Sequence, residues 1–334
     1  CYTNAGPQAG LGPSKDQWVE TLEALADMGV FHVALGGGES LLRPDLFELA
    51  DHARRLGMVP NLTTSGLGMT EEMAQRCRVF GQVNVSLDGL SQTYAGSRGY
   101  DGARPVLRAL ERLSQAGVSC GINLVVDRNT FHSVLETSTA AARAGAEEIE
   151  LLRFKPAGRA RAVYDARKLT PGQALDFAPQ LCRWQAELPE VSFKVDCSFI
   201  PMLCAAEPDP EALHRFGVFG CEAGHALAAV DADLKPRPCS FVEAEMGGKN
   251  VFTHWGTDPV MSRWRTWHDS APEPCNQCPY QSICKGGCKV VSHHVQGTYG
   301  VPDPECPRVR AHELGLPFEP VHCALTASPE DVMP

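Results

Sequence analysis

Fourteen cysteines constrain this chain of 334 residues more than any other feature, because seven of them crowd between residues 221 and 306: Cys221, Cys239, Cys275, Cys278, Cys284, Cys288 and Cys306. A chain of this length buries a sizeable core without covalent staples. No charged n-region followed by an apolar h-region marks it for export. Clustered cysteines in such a chain hold metal more often than they form disulfides. In Cys275-x2-Cys278-x5-Cys284-x3-Cys288 the thiolates can converge on one inorganic centre without long loops to order. Zinc and iron–sulfur centres both use such spacing. These four thiolates and Cys306 further on, with Cys221 and Cys239 nearby, exceed one tetrahedral zinc site and suit two four-thiolate clusters better. Periodicity is poor from Cys221 onward, so this part is expected to fold around metal.

Upstream, two patterns alternate. Runs at 31–35, 59–64, 82–87, 118–126 and 148–154 read as strands. Helical spacing marks 15–29, 44–57, 70–79, 102–116 and 131–144, with Ser14 and Thr70 as N-caps and Gly29, Gly57, Gly117 and Gly145 as stops. The order predicts an α/β fold with a parallel sheet, open or curved into a barrel. Polar residues gather at the strand ends, in Gly36–Ser40, Thr63–Gly66, Ser86–Gly89 and Lys155–Gly158. That carboxyl edge is where parallel α/β folds bind ligands. A helix over 171–187 follows, and the Pro-rich stretch 189–210 reads as a connector.

Composition excludes several classes. Thirty basic residues against 40 acidic ones give a net charge of −10. No basic block offers phosphate contacts, so no nucleic-acid partner is expected. No apolar run approaches the roughly 18 residues of a membrane span, and a cytoplasmic location is expected. The chain begins at Cys1, not Met, and reads as a trimmed chain whose start lies upstream.

Two edge motifs carry chemistry. Gly36-Gly37-Gly38-Glu39-Ser40 follows an apolar strand; its glycines admit close backbone approach and Glu39 offers a carboxylate to an ammonium group. A tight strand-to-helix turn would use the same residues. No Gly-Lys-Ser/Thr follows, which excludes a P-loop. In Val83-Asn84-Val85-Ser86-Leu87-Asp88-Gly89, Ser86 and Asp88 point to the same side, although Asp88-Gly89 also reads as a turn. His293 and His294 read as ordinary surface histidines.

Together these motifs resemble the radical S-adenosylmethionine (radical SAM) superfamily with a C-terminal SPASM extension. Cys1-Tyr2 looks like the last cysteine and the aromatic of the family's Cys-x3-Cys-x2-Cys motif. The resemblance places the other two cysteines and the first strand upstream. It therefore implies a partial (β/α)6 TIM-like barrel over 1–190, a connector over 191–220, a small Cys-rich SPASM domain over 221–310 and a tail over 311–334. Gly37, Gly38 and Glu39 resemble the Gly-Gly-Glu that meets the methionyl amino group. Thr64-Ser65-Gly66 resembles a Thr-Asn-Gly with Ser65 replacing Asn. Ser86, Asp88 and Arg98 resemble the serine, aspartate and arginine of the fourth-strand motif, of which the serine and arginine reach the ribose and carboxylate. In the SPASM pattern Cys221, Cys239 and Cys288 hold a first auxiliary cluster, and Cys275, Cys278, Cys284 and Cys306 a second. Leu234 stands where that pattern has glycine. The first cluster's fourth ligand is left open between Cys197 and Cys204. Cys77, Cys120 and Cys182 read as inert core thiols.

The resemblance implies reductive cleavage of S-adenosylmethionine, by a [4Fe–4S] cluster whose ligand set is incomplete here, to a 5′-deoxyadenosyl radical that takes hydrogen from a peptide or protein. Two auxiliary iron–sulfur clusters, most readily [4Fe–4S], accompany it. A low-potential donor such as flavodoxin or ferredoxin would supply the electron. Two other readings stay open: modification of tetrapyrrole side chains in modified-haem synthesis, and a non-catalytic electron-transfer or peptide-binding module.

Overall fold

The computed structural model describes residues 5–6, 12–242 and 255–321. Six parallel strands form one sheet in sequential order, β1 (His32–Leu35), β2 (Val59–Thr64), β3 (Val83–Ser86), β4 (Cys120–Val126), β5 (Glu148–Arg153) and β6 (Ser192–Val195). Helices α1 (Lys15–Asp27), α2 (Leu46–Arg55), α3 (Glu71–Arg76), α4 (Ser91–Arg98), α5 (Ala103–Gln115), α6 (Val134–Arg143), α7 (Tyr164–Arg167) and α8 (Pro171–Glu187) lie before β1 and in the crossovers. The sheet curls into a half-barrel. Local chemistry sets the helix starts: Ser14 and Gln17 form a capping box on α1, Thr170 and Gln173 another on α8, and Thr70 caps α3.

The alternation of side chains divides the sheet. Register aligns Leu62 with Val83, Val85 with Ile122, and Leu124 with Leu151, and all six are buried. This apolar face packs under the helices and supplies most of the core. On the other face Ser86, Asn123, Glu150 and Lys194 share one row, and Asn84, Gly121 and Glu148 the next. The concave side is therefore polar. Asn84 Nδ2 donates to Asn123 Oδ1 (2.8 Å) and Glu150 Oε2 (3.0 Å), and Gln82 Nε2 donates to Glu148 Oε1 (2.7 Å). Gly121 makes this network possible: a Cβ there would lie 2.5 Å from the Glu148 carbonyl oxygen and 3.1 Å from Asn84 Oδ1.

Two elements differ from the sequence reading. Strand β6 lies inside the stretch read as a connector and pairs with β5 along Ile149↔Phe193 and Leu151↔Val195. Four half-buried or exposed residues between a proline-rich entry and an acidic exit are too few to show a strand period. The barrel portion thus runs past residue 190, to at least Val195. Helix α4 was also hidden, because SQTYAGSR is polar and buries only Tyr94.

Beyond β6 the chain makes short helices: α9 (Ile200–Leu203), α10 (Pro210–Arg215), α11 (Pro259–Arg265), α12 (Gln281–Cys284), α13 (Lys289–Gln296) and α14 (Pro307–Glu313). A small hairpin pairs β7 (Ala229–Val230) with β8 (Pro236–Arg237). Its turn holds Leu234 at φ +60°, so the left-handed geometry that favours glycine is kept with a branched side chain. Asp231 anchors the turn by accepting from Asp233 N and Lys235 N, both at 2.9 Å. Leu234→Gly relieves the strain, less the entropy glycine loses on folding. With about 1–2 kcal/mol of strain relieved against about 0.5–1 kcal/mol of entropy, it should raise stability by about 0.5–1 kcal/mol, read as a higher denaturation midpoint with unchanged cofactor content. Among the described residues no helix is long and apolar enough to cross a membrane.

Candidate active site

The carboxyl edge of the half-barrel gathers the predicted edge residues. Glu39 follows β1 through Gly37 (φ +140°) and Gly38. Its Oε1 accepts from Thr64 Oγ1 (2.6 Å) and Leu41 N (3.2 Å). Its Oε2 accepts from Ser65 N (2.8 Å) and Ser65 Oγ. These four bonds fill the carboxylate's acceptor sites. Glu39 is thus a joint between the β1 and β2 edges as well as a fixed negative charge, and Ser65 is the residue that orients it. Sequence reading gave Glu39 only the second part.

Asp88 is buried beyond β3. Its Oδ1 accepts from Val125 N (2.9 Å), and its Oδ2 pairs with Arg98 Nε (2.6 Å). Arg98 ends α4, where Gly99 at φ +83° stops the helix. Asp88 thereby ties β3, β4 and α4 together and orients the Arg98 guanidinium. Ser86, half-buried, faces the concave side in the same row as Asn123 and Glu150. Burial, with the negative charges of Asp196 and Glu148, holds the Glu150 carboxyl above its ordinary range. Cys1 lies outside the described residues.

The C-terminal cysteines fall into two neighbourhoods. Cys239 and Cys288 pack in one apolar cluster with Phe241 and Val291. Like-charge interaction joins Cys221 to Cys239 and Cys288, and joins Cys197 to Cys221 and Cys288. Cys275, Cys278, Cys284 and Cys306 line a cavity of about 290 Å³, and Cys204 lines the same cavity. Cys204 therefore stands with the second set, and Cys197 with the first.

These thiols suit a bound metal cluster. All the described cysteines are free. Burial pushes the Cys221 thiol up to about 12, and Cys275 and Cys288 to about 11, with neighbouring thiolates adding to the first two. Thiols gathered where each opposes the others' ionisation gain most from a cationic centre. Among the described residues no group of three or more His, Cys, Asp or Glu is arranged to hold a single metal ion. The second set instead lines the cavity of about 290 Å³ described above. By contrast, Cys77 and Cys120 are buried in the barrel core away from either set, and burial lifts both to about 12. Cys182 is half-buried on α8.

Charged groups that the sequence did not single out surround both sets. Arg153, the last residue of β5, donates to Asp303 through both terminal nitrogens (2.6 and 3.0 Å), to Glu305 (2.8 Å) and to the Ser198 carbonyl (2.9 Å). Asp303 Oδ2 in turn accepts from Cys288 N (3.0 Å). Tyr164 OH donates to Glu305 Oε1 (2.7 Å). Lys155 pairs with Asp196 and lies 4.4 Å from the centre of the Phe241 ring. Burial of a charge is a tertiary property, and only the positions of Arg153 and Lys155 at a strand's carboxyl end hinted at it. His293 stacks on Tyr299 and His294 packs edge-on to Tyr164, so both are half-buried.

Residues 1–139 match the family model described as Radical SAM superfamily. The chain is 28% identical over 316 residues to mycofactocin maturase MftC of Mycolicibacterium smegmatis, covering 92% of this chain and 78% of that protein. It is 28% identical over 316 residues to PqqA peptide cyclase of Xanthomonas campestris pv. campestris, covering 88% and 78%. Streptococcus suis SuiB, solved bound to precursor peptide SuiA, has a similar fold, with TM-score 0.72 at 16% identity over 92% of this chain and 72% of that one. So does anSMEcpe with bound AdoMet, with TM-score 0.69 at 18% identity over 93% and 90%. With the half-barrel, the edge motifs and the matched segment in agreement, residues 1–139 of the chain carry a radical SAM domain.

Proposed function

We propose that this protein is a radical SAM enzyme with a SPASM-type auxiliary domain, and that it abstracts hydrogen from a peptide or protein substrate held on the concave polar face of its half-barrel. The observation that carries this is the continuity of that face, from Glu39, Ser65 and Ser86 across Asn123 and Glu150 towards Lys155, which adjoins the first thiol set. Mycofactocin maturase and PqqA peptide cyclase are relatives over most of the chain, and SuiB binds a precursor peptide.

A [4Fe–4S] cluster with S-adenosylmethionine supplies a hydrogen-abstracting radical when bound. Cys1 is the candidate thiolate for that cluster within this chain. Glu39, held by Thr64 and Ser65, presents negative charge to the methionyl ammonium beside the exposed backbone of Gly37 and Gly38. Ser86 offers a hydroxyl to the ribose. Arg98, steered by Asp88, offers its free guanidinium nitrogens to the carboxylate. We further assign Cys197, Cys221, Cys239 and Cys288 to the first auxiliary cluster, and Cys275, Cys278, Cys284 and Cys306 to the second. Four thiolates on each cluster favour electron transfer over substrate binding at an open iron. A flavodoxin- or ferredoxin-like donor and a cytoplasmic setting fit this chemistry.

The test uses anaerobically purified full-length protein, reduced in the presence of S-adenosylmethionine and a pool of short peptides deuterated at carbon. Release of 5′-deoxyadenosine carrying deuterium is expected. Release without deuterium would remove the peptide reading, and no release would remove the enzyme reading. In the same protein Glu39→Ala removes both the fixed negative charge and the joint that positions Gly37 and Gly38, and should weaken S-adenosylmethionine binding at least tenfold, about 1.4 kcal/mol. Calorimetric titration measures this, and an unaltered dissociation constant would count against the motif assignment.

A further inference from the structure

We propose that Lys289 is a redox-tuning cation shared by the two auxiliary clusters: its buried ammonium lies beside both thiol sets and raises the reduction potential of what they hold. This rests on the auxiliary-cluster reading above.

Lys289 opens α13 immediately after Cys288 and is only 4% exposed. Its Nζ has no hydrogen-bond partner. The ammonium sits 3.4 Å from the centre of the Trp267 ring, and Trp267 is itself fixed by Nε1 donating to the Gly300 carbonyl (3.0 Å). A ring face stabilises a cation electrostatically but leaves its N–H donors unspent. A buried charge without partners is costly, and proteins keep such groups where a ligand completes them. The charges that bear on Lys289 are Cys221 from the first set and Cys284 and Cys275 from the second, with Asp303 behind them. The other buried cations nearby are committed: Lys155 to Asp196, and Arg153 to Asp303 and Glu305.

The backbone is shaped around this ammonium. Gly286 sits at φ +77°, and a Cβ there would fall 2.3 Å from Trp267 Cη2 and 2.7 Å from Lys289 Nζ. The acceptors that suit the idle donors are cysteinyl and inorganic sulfur. Reduction adds one negative charge to a cluster. A fixed cation in a medium of low dielectric favours the reduced form, and hydrogen bonds to cluster sulfur act in the same direction.

The experiment compares anaerobic wild type with Lys289→Met and Lys289→Arg by redox titration followed by electron paramagnetic resonance, with iron and sulfide assayed in each. In the Met variant the reduced-to-oxidised ratio of at least one auxiliary cluster, at fixed ambient potential, should fall tenfold or more, which is about 59 mV for a one-electron couple. The Arg variant keeps the positive charge that acts on the clusters, and its ratio should stay within about threefold of wild type. A Met variant with full iron and an unmoved titration overturns the proposal, as does an Arg variant that shifts as far as Met. Should the Met variant lose iron, wild type and the Arg variant labelled with 15N-lysine decide. A lysine-nitrogen coupling to a reduced cluster, present in wild type and lost in Arg, supports the assignment; its absence in wild type overturns it. Wild type without iron and sulfide overturns the auxiliary-cluster reading itself, and this inference with it.

Discussion

Arg153→Leu is expected to destabilise the protein by about 3–5 kcal/mol, the range for removing one partner of a buried ion pair. The side chains of Arg153 and Asp303 are 1% and 0% exposed, and that of Glu305 only 9%. Removing the guanidinium leaves two buried carboxylates with no cation and frees the Ser198 carbonyl. Local consequences follow from the chain path. Asp303 holds Cys288 N through its carboxylate, receives Arg153 from the end of β5, and closes a turn through its carbonyl to Cys306 N (3.1 Å). The Arg153 ion cluster is therefore a rivet between the half-barrel and one cysteine of each set. The variant should melt earlier and expose the segment after β6 to protease before the barrel. It should also release iron on mild heating, when wild type retains it. Arg153→Lys should recover little of this, since one ammonium cannot serve Asp303 at both oxygens and Glu305 at once. Combining Arg153→Leu with Asp303→Asn and Glu305→Gln should return part of the loss, because the penalty lies in uncompensated charge. A triple variant no more stable than Arg153→Leu alone would show that the cluster acts through packing instead.

What could be read in advance divides along a physical line. Strands β1 to β5 and their polar carboxyl ends were legible because each is a short run with apolar residues that ends at glycine or small polar residues. The thiol sets were legible in part, because ligands two to five residues apart advertise a shared centre. Cys197 and Cys204 were not separable, since their partners lie far along the chain and only the folded path brings Cys204 to the cavity of Cys275 and Cys306. Glu39 was seen as a charge but not as the joint accepting from Thr64 and Ser65, which depends on how β1 sits against β2. The partners of Arg153 and Lys289 were invisible for a related reason. A basic residue is exposed by default, and nothing local signals that Arg153 will meet Asp303 or that Lys289 will sit against Trp267. Leu234 is the reverse case: a departure from the glycine of the pattern that the fold absorbs as strain within an intact turn.

Replacing Cys284 and Cys306 together by alanine should remove one auxiliary cluster outright, leaving about four of roughly eight auxiliary irons. Both thiols line the cavity of the second set, one from the end of α12 and one from the start of α14, so the pair spans it. Metal binding and folding are coupled in such segments. The variant should therefore lose order around residues 275–306 as well as iron, seen as faster amide exchange there and a lower melting temperature. Two single substitutions then separate the sets. Cys197→Ala should strip iron from the first neighbourhood and leave the second. Cys204→Ala should leave both, because four closely spaced thiols already face the cavity that Cys204 enters from the barrel side. Loss of half the iron from Cys204→Ala, with Cys197→Ala unaffected, would exchange the two roles. Unchanged iron and melting in the Cys284/Cys306 double variant would mean that the cavity holds no cluster. The five thiols would then line a structural pocket, and the case for a second auxiliary cluster would fall while the active-site edge around Glu39 and Asp88 stood.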